Sequence, residues 1–87
     1  IATEIKFHSD PDRRYTVMEV TAQDRPGLLH QVANVLVHCK ARLVNARVST
    51  FGEKAEDVFL LHDRDGGEIR SKTQRDCLAA EIRQALP

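Results

Sequence analysis

Alternating apolar and polar residues predict two strands in the first quarter of the chain. In "YTVMEVTA", Met18, Val20 and Ala22 fall on one side, which indicates a strand half-buried against a core. Ile5 and Phe7 alternate with charged neighbours in the shorter "TEIKFHSD". The "DPDRR" between them predicts a turn, because Asp suits its first position and Pro11 fixes φ at its second.

A second pair of strands is predicted around "GEK", a short sequence suited to a tight hairpin. In "LVNARVSTF" we expect Val44, Ala46 and Val48 to face the core. The returning strand is "AEDVFLLHD". "RDGGE" then ends the pattern with a glycine pair.

The returning strand is apolar at four consecutive positions, from Val58 to Leu61. We expect Val58 and Leu60 to point at the helices and Phe59 and Leu61 to point away from them. The outer sheet face would then expose an apolar patch, with Val17 and Leu43 beside these residues. Such a patch predicts packing on a second domain or self-association through the face or an edge strand. The alternative is that one or two of these residues lie under a loop or are simply exposed.

Helical periodicity predicts two amphipathic helices. The first runs from about Pro26 to about Cys39, with Leu28, Val32 and Leu36 on its apolar stripe. The second opens at a capping-box pattern, in which Ser71 is followed three residues later by Gln74. Its apolar positions are Leu78, Ile82, Ala85 and Leu86.

The element order predicts an α+β fold, ββαββα, formed by residues 1–87 as a single domain. One sheet and two amphipathic helices call for two layers, with both helices on one face. A right-handed crossover would make the second and third strands parallel. This is a ferredoxin-like arrangement with a four- or five-strand-capable sheet, in which the first strand fills an edge.

Composition narrows the class of protein. Thirteen basic and thirteen acidic residues give zero formal charge, which disfavours nucleic acid as a partner. The apolar runs are too short to span a membrane, and we expect no membrane partner. We interpret Cys39 and Cys77 as reduced, half-buried thiols in a cytoplasmic protein. The chain starts without Met and stops just after a helical pattern, so we expect a fragment of a longer protein.

The junction "DRPG" is the strongest candidate for a binding site. Pro26 would occupy the first helical position, Asp24 or its neighbour would cap the helix, and Gly27 would allow a close approach to the backbone. The N–H groups of Leu28 and Leu29 would then be available to a carboxylate. The alternative is that the turn only caps the helix.

Several segments together resemble an ACT domain, the small regulatory module of amino-acid metabolism. They are "EVTAQDRPGLL", "NARVSTFGEKAEDVF" and "DRDGG", and the similarity covers nearly the whole chain. The hairpin sequence is most similar to the C-terminal ACT domains of the bifunctional uridylyltransferase/uridylyl-removing enzymes, which modify the PII nitrogen-signalling protein. In that subtype an extra N-terminal strand corresponds to "TEIKFHSD".

The resemblance implies a regulatory function, the sensing of glutamine or another small amino acid. High glutamine would shift the parent enzyme from adding UMP to PII toward removing it. The implied site is the turn Asp24, Arg25, Pro26, Gly27 and Leu28, with Arg42 and Asn45 of a paired ACT domain as the other wall. The fragment itself would have no catalytic residue, metal site or cofactor, whereas the parent enzyme would use Mg²⁺.

This chain departs from the serine-binding members at two places. Asp24 stands where they have Asn, and Lys40 and Arg42 stand where they have Gly and Asn. An Asp can receive an ammonium group and an Arg a carboxylate, which is consistent with a different ligand pose. The alternative is a ligand-free module that only mediates interaction or dimerisation. We predict that Gly27→Val blocks the ligand at a modest cost to folding.

Two other functions are weakly supported by the sequence. The four histidines and two cysteines include no CxxC or HxxxH pair, and the Asp63-x-Asp65-Gly66 stretch would place Gln74 at the twelfth calcium-loop position, where Glu is needed. An RNA-binding domain of similar layout would need exposed aromatics on the central strands, where only Tyr15 and Phe59 are found.

Overall fold

Six elements occur in the predicted order in the computed structural model, which describes residues 1–10 and 12–87. They are β1 (Glu4–Asp10), β2 (Tyr15–Gln23), α1 (Leu28–His38), β3 (Arg42–Phe51), β4 (Lys54–His62) and α2 (Lys72–Ala85). The fold is therefore α+β, and its layout is compatible with a ferredoxin-like arrangement.

The four strands form one sheet in the order β1-β2-β4-β3. Every hydrogen-bonded pair is antiparallel. β2 and β3 run in the same direction, as predicted, but β4 lies between them, so no neighbouring strands within residues 1–10 and 12–87 are parallel. β1 occupies the edge beside β2, the position predicted for the first strand.

Both helices cover the same face of the sheet. Met18, Val20 and Ala22 are buried as predicted, whereas the alternate residues of β2 are only half-buried. The helices bury one stripe each against this face, through Leu28, Val32, Val35, Leu36, Leu78 and Ile82. The residues that alternate along β2 and the residues that form the apolar stripes of the two helices therefore pack in a single core.

The orientation predicted for β4 is wrong. Phe59 and Leu61 are buried in the core, and Val58 and Leu60 are half-buried on the outer face. The pairing with β2 sets this orientation, since Phe59 lies opposite the buried Met18 and opposed residues share a face. Phe59 and Leu61 therefore do not belong to the predicted outer patch, and Val58 and Leu60 lie on that face instead.

β3 is an exposed edge strand, which the sequence did not predict. Ala46 lies opposite Phe59 and therefore on the helix side, as expected, yet it is exposed. Val48 is also on the helix side and remains 50% exposed. Val44 falls at a register irregularity between Leu43 and Asn45. β3 is the edge strand opposite β1, and the two helices leave its side chains largely uncovered.

Local signals at the turns are mostly confirmed. The Asp10 carboxylate accepts a hydrogen bond from the N–H of Arg13 at 3.2 Å; the predicted role of Pro11 lies outside the described residues. Gly52, with φ of 61°, and Glu53 form a two-residue hairpin turn. The N–H of Gln74 donates to the Ser71 hydroxyl at 3.1 Å, which confirms the α2 cap.

The two cysteines form a disulfide, so the prediction of reduced thiols is wrong. Cys39 ends α1, Cys77 lies in α2, and their Cα atoms are 5.9 Å apart. That separation is typical of a disulfide. The 38-residue separation in sequence concealed the pairing, because only the packing of the two helices brings the residues together.

Candidate functional site

The junction between β2 and α1 is a tight reversal rather than the first turn of a helix. The N–H of Leu28 donates to the Arg25 carbonyl at 3.3 Å, and Gly27 has φ of 77° and ψ of 10°. A turn with Pro at its second position and a left-handed Gly at its third matches type II. α1 therefore begins at Leu28, and the prediction that Pro26 is its first residue is wrong.

Asp24 does not cap the helix. Gly27 is the N-cap residue, and no side chain caps α1 within the described part of the chain. The backbone N–H of Asp24 instead donates to the Glu53 carbonyl at 2.7 Å. This bond ties the turn to the β3–β4 hairpin, which leaves the Asp24 carboxylate without a role in starting α1.

The amides available to an anion are shifted one residue along the chain. Leu28 was expected to have a free N–H, but the Arg25 carbonyl accepts it. Among the hydrogen bonds of residues 1–10 and 12–87, none involves the N–H of Leu29 or His30. These two amides at the start of α1 are the ones that could meet a carboxylate.

A cavity of about 370 Å³ lies between the turn and the C-terminal segment. The guanidinium of Arg25 spans this region, donating to the Ala85 carbonyl at 3.5 Å. Three of the predicted turn residues line the cavity. Its lining consists of Ala22, Gln23, Asp24, Arg25, Pro26, Leu86 and Pro87.

Asp57 is a charged residue near the turn that the sequence did not single out. Its side chain is 2% exposed, on the helix-facing side of β4. Burial raises the pKa of the Asp57 carboxyl, and the negative charge of Asp24 raises it further, whereas a hydrogen bond from Ser49 lowers it. The sequence contains a signal for this burial: Asp57 alternates with Ala55 and Phe59, so all three side chains lie on the same side of the strand.

The structure does not bring the two predicted walls together within one chain. Arg42 and Asn45 lie at the start of β3, whereas the turn adjoins the other end of the sheet, where Phe51 meets Lys54. Six residues of strand from Asn45 to Phe51 correspond to about 20 Å. The Asn45 side chain accepts from the Ala46 N–H at 2.9 Å, and Arg42 is exposed.

The structure gives no support to the calcium-loop, metal and RNA-binding alternatives within the described residues. The Asp63 carboxylate accepts from the N–H groups of Asp65 and Gly67, at 2.9 and 3.1 Å, which holds the loop in place. No group of three or more His, Cys, Asp and Glu residues that could hold a metal occurs in the described ranges. Phe59, one of the two aromatics considered for RNA stacking, is buried.

Neither α1 nor α2 has the length and apolar character needed to cross a membrane.

Comparison with known proteins gives one consistent similarity. No protein-family model matches the chain. The chain is 38% identical over 78 residues to the bifunctional uridylyltransferase/uridylyl-removing enzyme of Methylococcus capsulatus, and 37% identical over 86 residues to that of Rhodopseudomonas palustris. The Pasteurella multocida enzyme is 36% identical over 86 residues.

These similarities cover 90 to 99% of the chain but only 9 to 10% of each relative. The chain thus spans about a tenth of the length of the curated relatives it matches. It is similar to one small segment of the bifunctional uridylyltransferase/uridylyl-removing enzymes.

Proposed function

We propose that the chain is a regulatory ACT domain that senses glutamine and controls uridylylation and deuridylylation of the PII signalling protein. The similarity to the uridylyltransferase/uridylyl-removing enzymes over 86 of 87 residues is the observation that carries this proposal. The α+β fold is compatible with an ACT domain. In this proposal the parent enzyme uses Mg²⁺ for its own chemistry and works in the cytoplasm.

The ligand would be held at the start of α1. Its carboxylate would accept hydrogen bonds from the N–H groups of Leu29 and His30. Its ammonium group would meet the Asp24 carboxylate, which is not used as a helix cap. Two nearby negative charges, on Asp24 and the buried Asp57, favour a cation over a neutral group at this position.

A second domain would complete the site. Along β3, Asn45 lies about 20 Å and Arg42 about 30 Å from the end of the strand beside the turn, so those of the same chain cannot close over a small ligand. The exposed edge strand β3 supports such pairing, because Leu43, Val48 and Phe51 are 50 to 62% exposed. The partner would be a sibling ACT domain of the parent chain or a second copy.

The alternative function is an interaction module that binds no amino acid. The same exposed β3 edge would serve it, and the turn would then only connect β2 to α1. The two functions differ in what they require of Asp24, since only ligand binding needs its carboxylate.

Titration with amino acids distinguishes these functions. Amide chemical shifts of the chain would be followed while glutamine, glutamate or serine is added, and we expect glutamine to move Asp24, Leu29 and His30. Asp24→Ala should abolish these shifts with little change in stability, because Asp24 does not cap α1. Asp65→Ala removes an acid from an exposed loop and is the matched control.

The intact enzyme provides the second test. Asp24→Ala should leave both activities present but remove the effect of glutamine on their balance. Normal glutamine control in a folded Asp24→Ala enzyme would contradict the proposed site and favour the interaction module.

A further inference from the structure

The end of α1 is fastened to α2 by three kinds of contact. The disulfide joins Cys39 to Cys77. The side-chain amide of Gln74 donates to the carbonyls of Cys39 and Lys40, at 3.1 Å each. His38 pairs with Glu81 on the same side. Of these contacts only the disulfide can be made and broken by thiol chemistry.

We propose that Cys39 and Cys77 form a reversible redox clamp between the two helices, closed when oxidised and open when reduced. Disulfides in the cytoplasm, the location proposed above, are mostly transient or redox-sensing. Cys77 is half-buried whereas Cys39 is 5% exposed, so a small thiol reaches the Cys77 sulfur more readily. The clamp itself does not depend on glutamine binding.

The opening reaction is thiol–disulfide exchange with a low-molecular-weight thiol. Its thiolate attacks the Cys77 sulfur, forms a mixed disulfide and releases Cys39 as a thiolate, which takes up a proton. A second small thiolate attacks the small-thiol sulfur of that mixed disulfide and releases Cys77, which is also protonated. Two small thiols are oxidised to one small disulfide, and the protein disulfide is reduced by two electrons. A small disulfide reverses both steps.

The C-terminal end of α1 is expected to stay folded when the disulfide is reduced, because local hydrogen bonds hold it. Lys40 has φ of 63°, the Ala41 N–H donates to the Leu36 carbonyl at 2.9 Å, and the Lys40 N–H donates to that of Val37 at 3.2 Å. These two bonds form a Schellman motif, which ends a helix without help from another element. Reduction therefore loosens the hold of α1 on α2 rather than unfolding α1.

The two helices connect the disulfide to the candidate site, which lies at the start of α1 and the end of α2. α1 starts at the turn, and α2 ends where Arg25 reaches the Ala85 carbonyl. The clamp thus fixes one end of the helix pair while the candidate site lies at the other. Looser packing of α1 on α2 would change the distance between the turn and the C-terminal segment.

Amide hydrogen exchange in defined redox buffers tests the proposal. The chain would be equilibrated in mixtures of reduced and oxidised glutathione, with its thiol state counted by alkylation and mass spectrometry. We expect a reversible two-electron transition and at least about tenfold faster exchange of the Val35 to Cys39 amides in the reduced form. Amides of β2 exchange through global unfolding, so they should accelerate only as far as the loss of global stability on reduction requires, and in the reduced form the end of α1 should exchange faster than β2.

Three outcomes would overturn the proposal. They are a disulfide that stays closed in excess reduced glutathione, unchanged exchange at the end of α1, or exchange at the end of α1 that is no faster than in β2 and β4 in the reduced form, which indicates global unfolding alone. Cys77→Ser keeps the buried Cys39 side chain and should exchange like the reduced chain in every buffer. The reduced wild-type chain provides the same comparison without a substitution, so the test stands even if that variant folds poorly.

Discussion

The buried carboxylate of Asp57 accepts a hydrogen bond from the backbone N–H of Ser49 at 3.3 Å, across the β3–β4 pair. One such bond replaces only part of the hydration that a carboxylate has in water. The pKa of Asp57 is raised accordingly, mainly by burial and further by the charge of Asp24. A buried charge that costs stability is expected where it serves a function.

The first prediction concerns pH. Because its folded-state pKa is above the ordinary value of 3.8, Asp57 binds its proton more tightly in the folded chain than in the unfolded chain. Its effect is to lower the free energy of unfolding as pH rises from the ordinary pKa through the raised one. Asp57→Asn should remove this decrease and make the chain more stable at neutral pH, as measured by urea unfolding.

The control for Asp57 is Asp65→Asn, which removes the same charge from an exposed loop position. The fall in stability with rising pH that is assigned to Asp57 should persist in this variant. An Asp57→Asn chain that is less stable than wild type at neutral pH would show that the carboxylate has a stabilising partner.

The second prediction concerns Gly27. Its φ of 77° lies in the left-handed region, although a Cβ there would meet nothing within 4 Å. The expectation of a modest folding cost for Gly27→Val is therefore wrong, because the cost comes from the backbone and a β-branched residue disfavours this region most. We expect a loss of about 1 kcal/mol for Gly27→Ala and about 2 kcal/mol for Gly27→Val.

Urea unfolding of both variants measures these losses. Gly67→Ala is the matched control, since Gly67 also has open space but no left-handed φ. A loss at Gly27 no larger than at Gly67 would mean that the turn adopts another conformation in solution.

The third prediction concerns the start of α2. The Ser71 hydroxyl accepts the Gln74 N–H, so Ser71→Ala should lower the free energy of unfolding by about 1 kcal/mol. Thr73→Ala changes an exposed residue of the first turn that makes no capping bond and should cost less. Thermal unfolding would compare the two variants, and equal losses would argue against the cap.

The fourth prediction concerns the disulfide and global stability. The 38-residue separation between Cys39 and Cys77 predicts a stabilisation of about 4 kcal/mol from the restricted unfolded chain. Reduction should lower the denaturant midpoint accordingly, and the Cys39→Ala, Cys77→Ala double variant should show no response to reductant. A reduced wild-type chain with an unchanged midpoint would refute this estimate.

The fifth prediction concerns the exposed edge of the sheet. Val48 is 50% exposed on β3, and we expect the chain to self-associate through this strand at high concentration. Val48→Lys should weaken association at least about tenfold, because a charge on the edge disfavours strand pairing. Sedimentation would measure this effect against Thr73→Lys, which adds the same charge on α2. Equal association of both variants would move the interface elsewhere.

The sequence by itself determined the elements and several of their ends. The strict alternation through Met18, Val20 and Ala22 left only one side of β2 for the core, and the structure agrees. The helical stripes and the Ser71 cap depend on residues within a few positions of each other, so no distant contact is needed to interpret them. The order ββαββα followed from these local patterns.

The tertiary structure alone decided the sides of β4 and the exposure of β3. "VFLL" is apolar on both sides, so its pattern does not decide which side faces the helices. The structure accepts the buried Asp57 carboxylate because pairing with β2 places Phe59 and Leu61 in the core. Val48 has a core-like pattern but occupies an edge, and strand order is not encoded in alternation.

Long-range proximity explains the remaining differences. Cys39 and Cys77 meet because two helices pack together, and the separation of Asn45 from the turn follows from the direction of β3. Sequence identified the residues of the candidate turn, but the left-handed Gly27 and the bond from Asp24 to Glu53 depend on where the hairpin lies. Local periodicity fixes which residues form each element, whereas packing between distant elements fixes what each side chain meets.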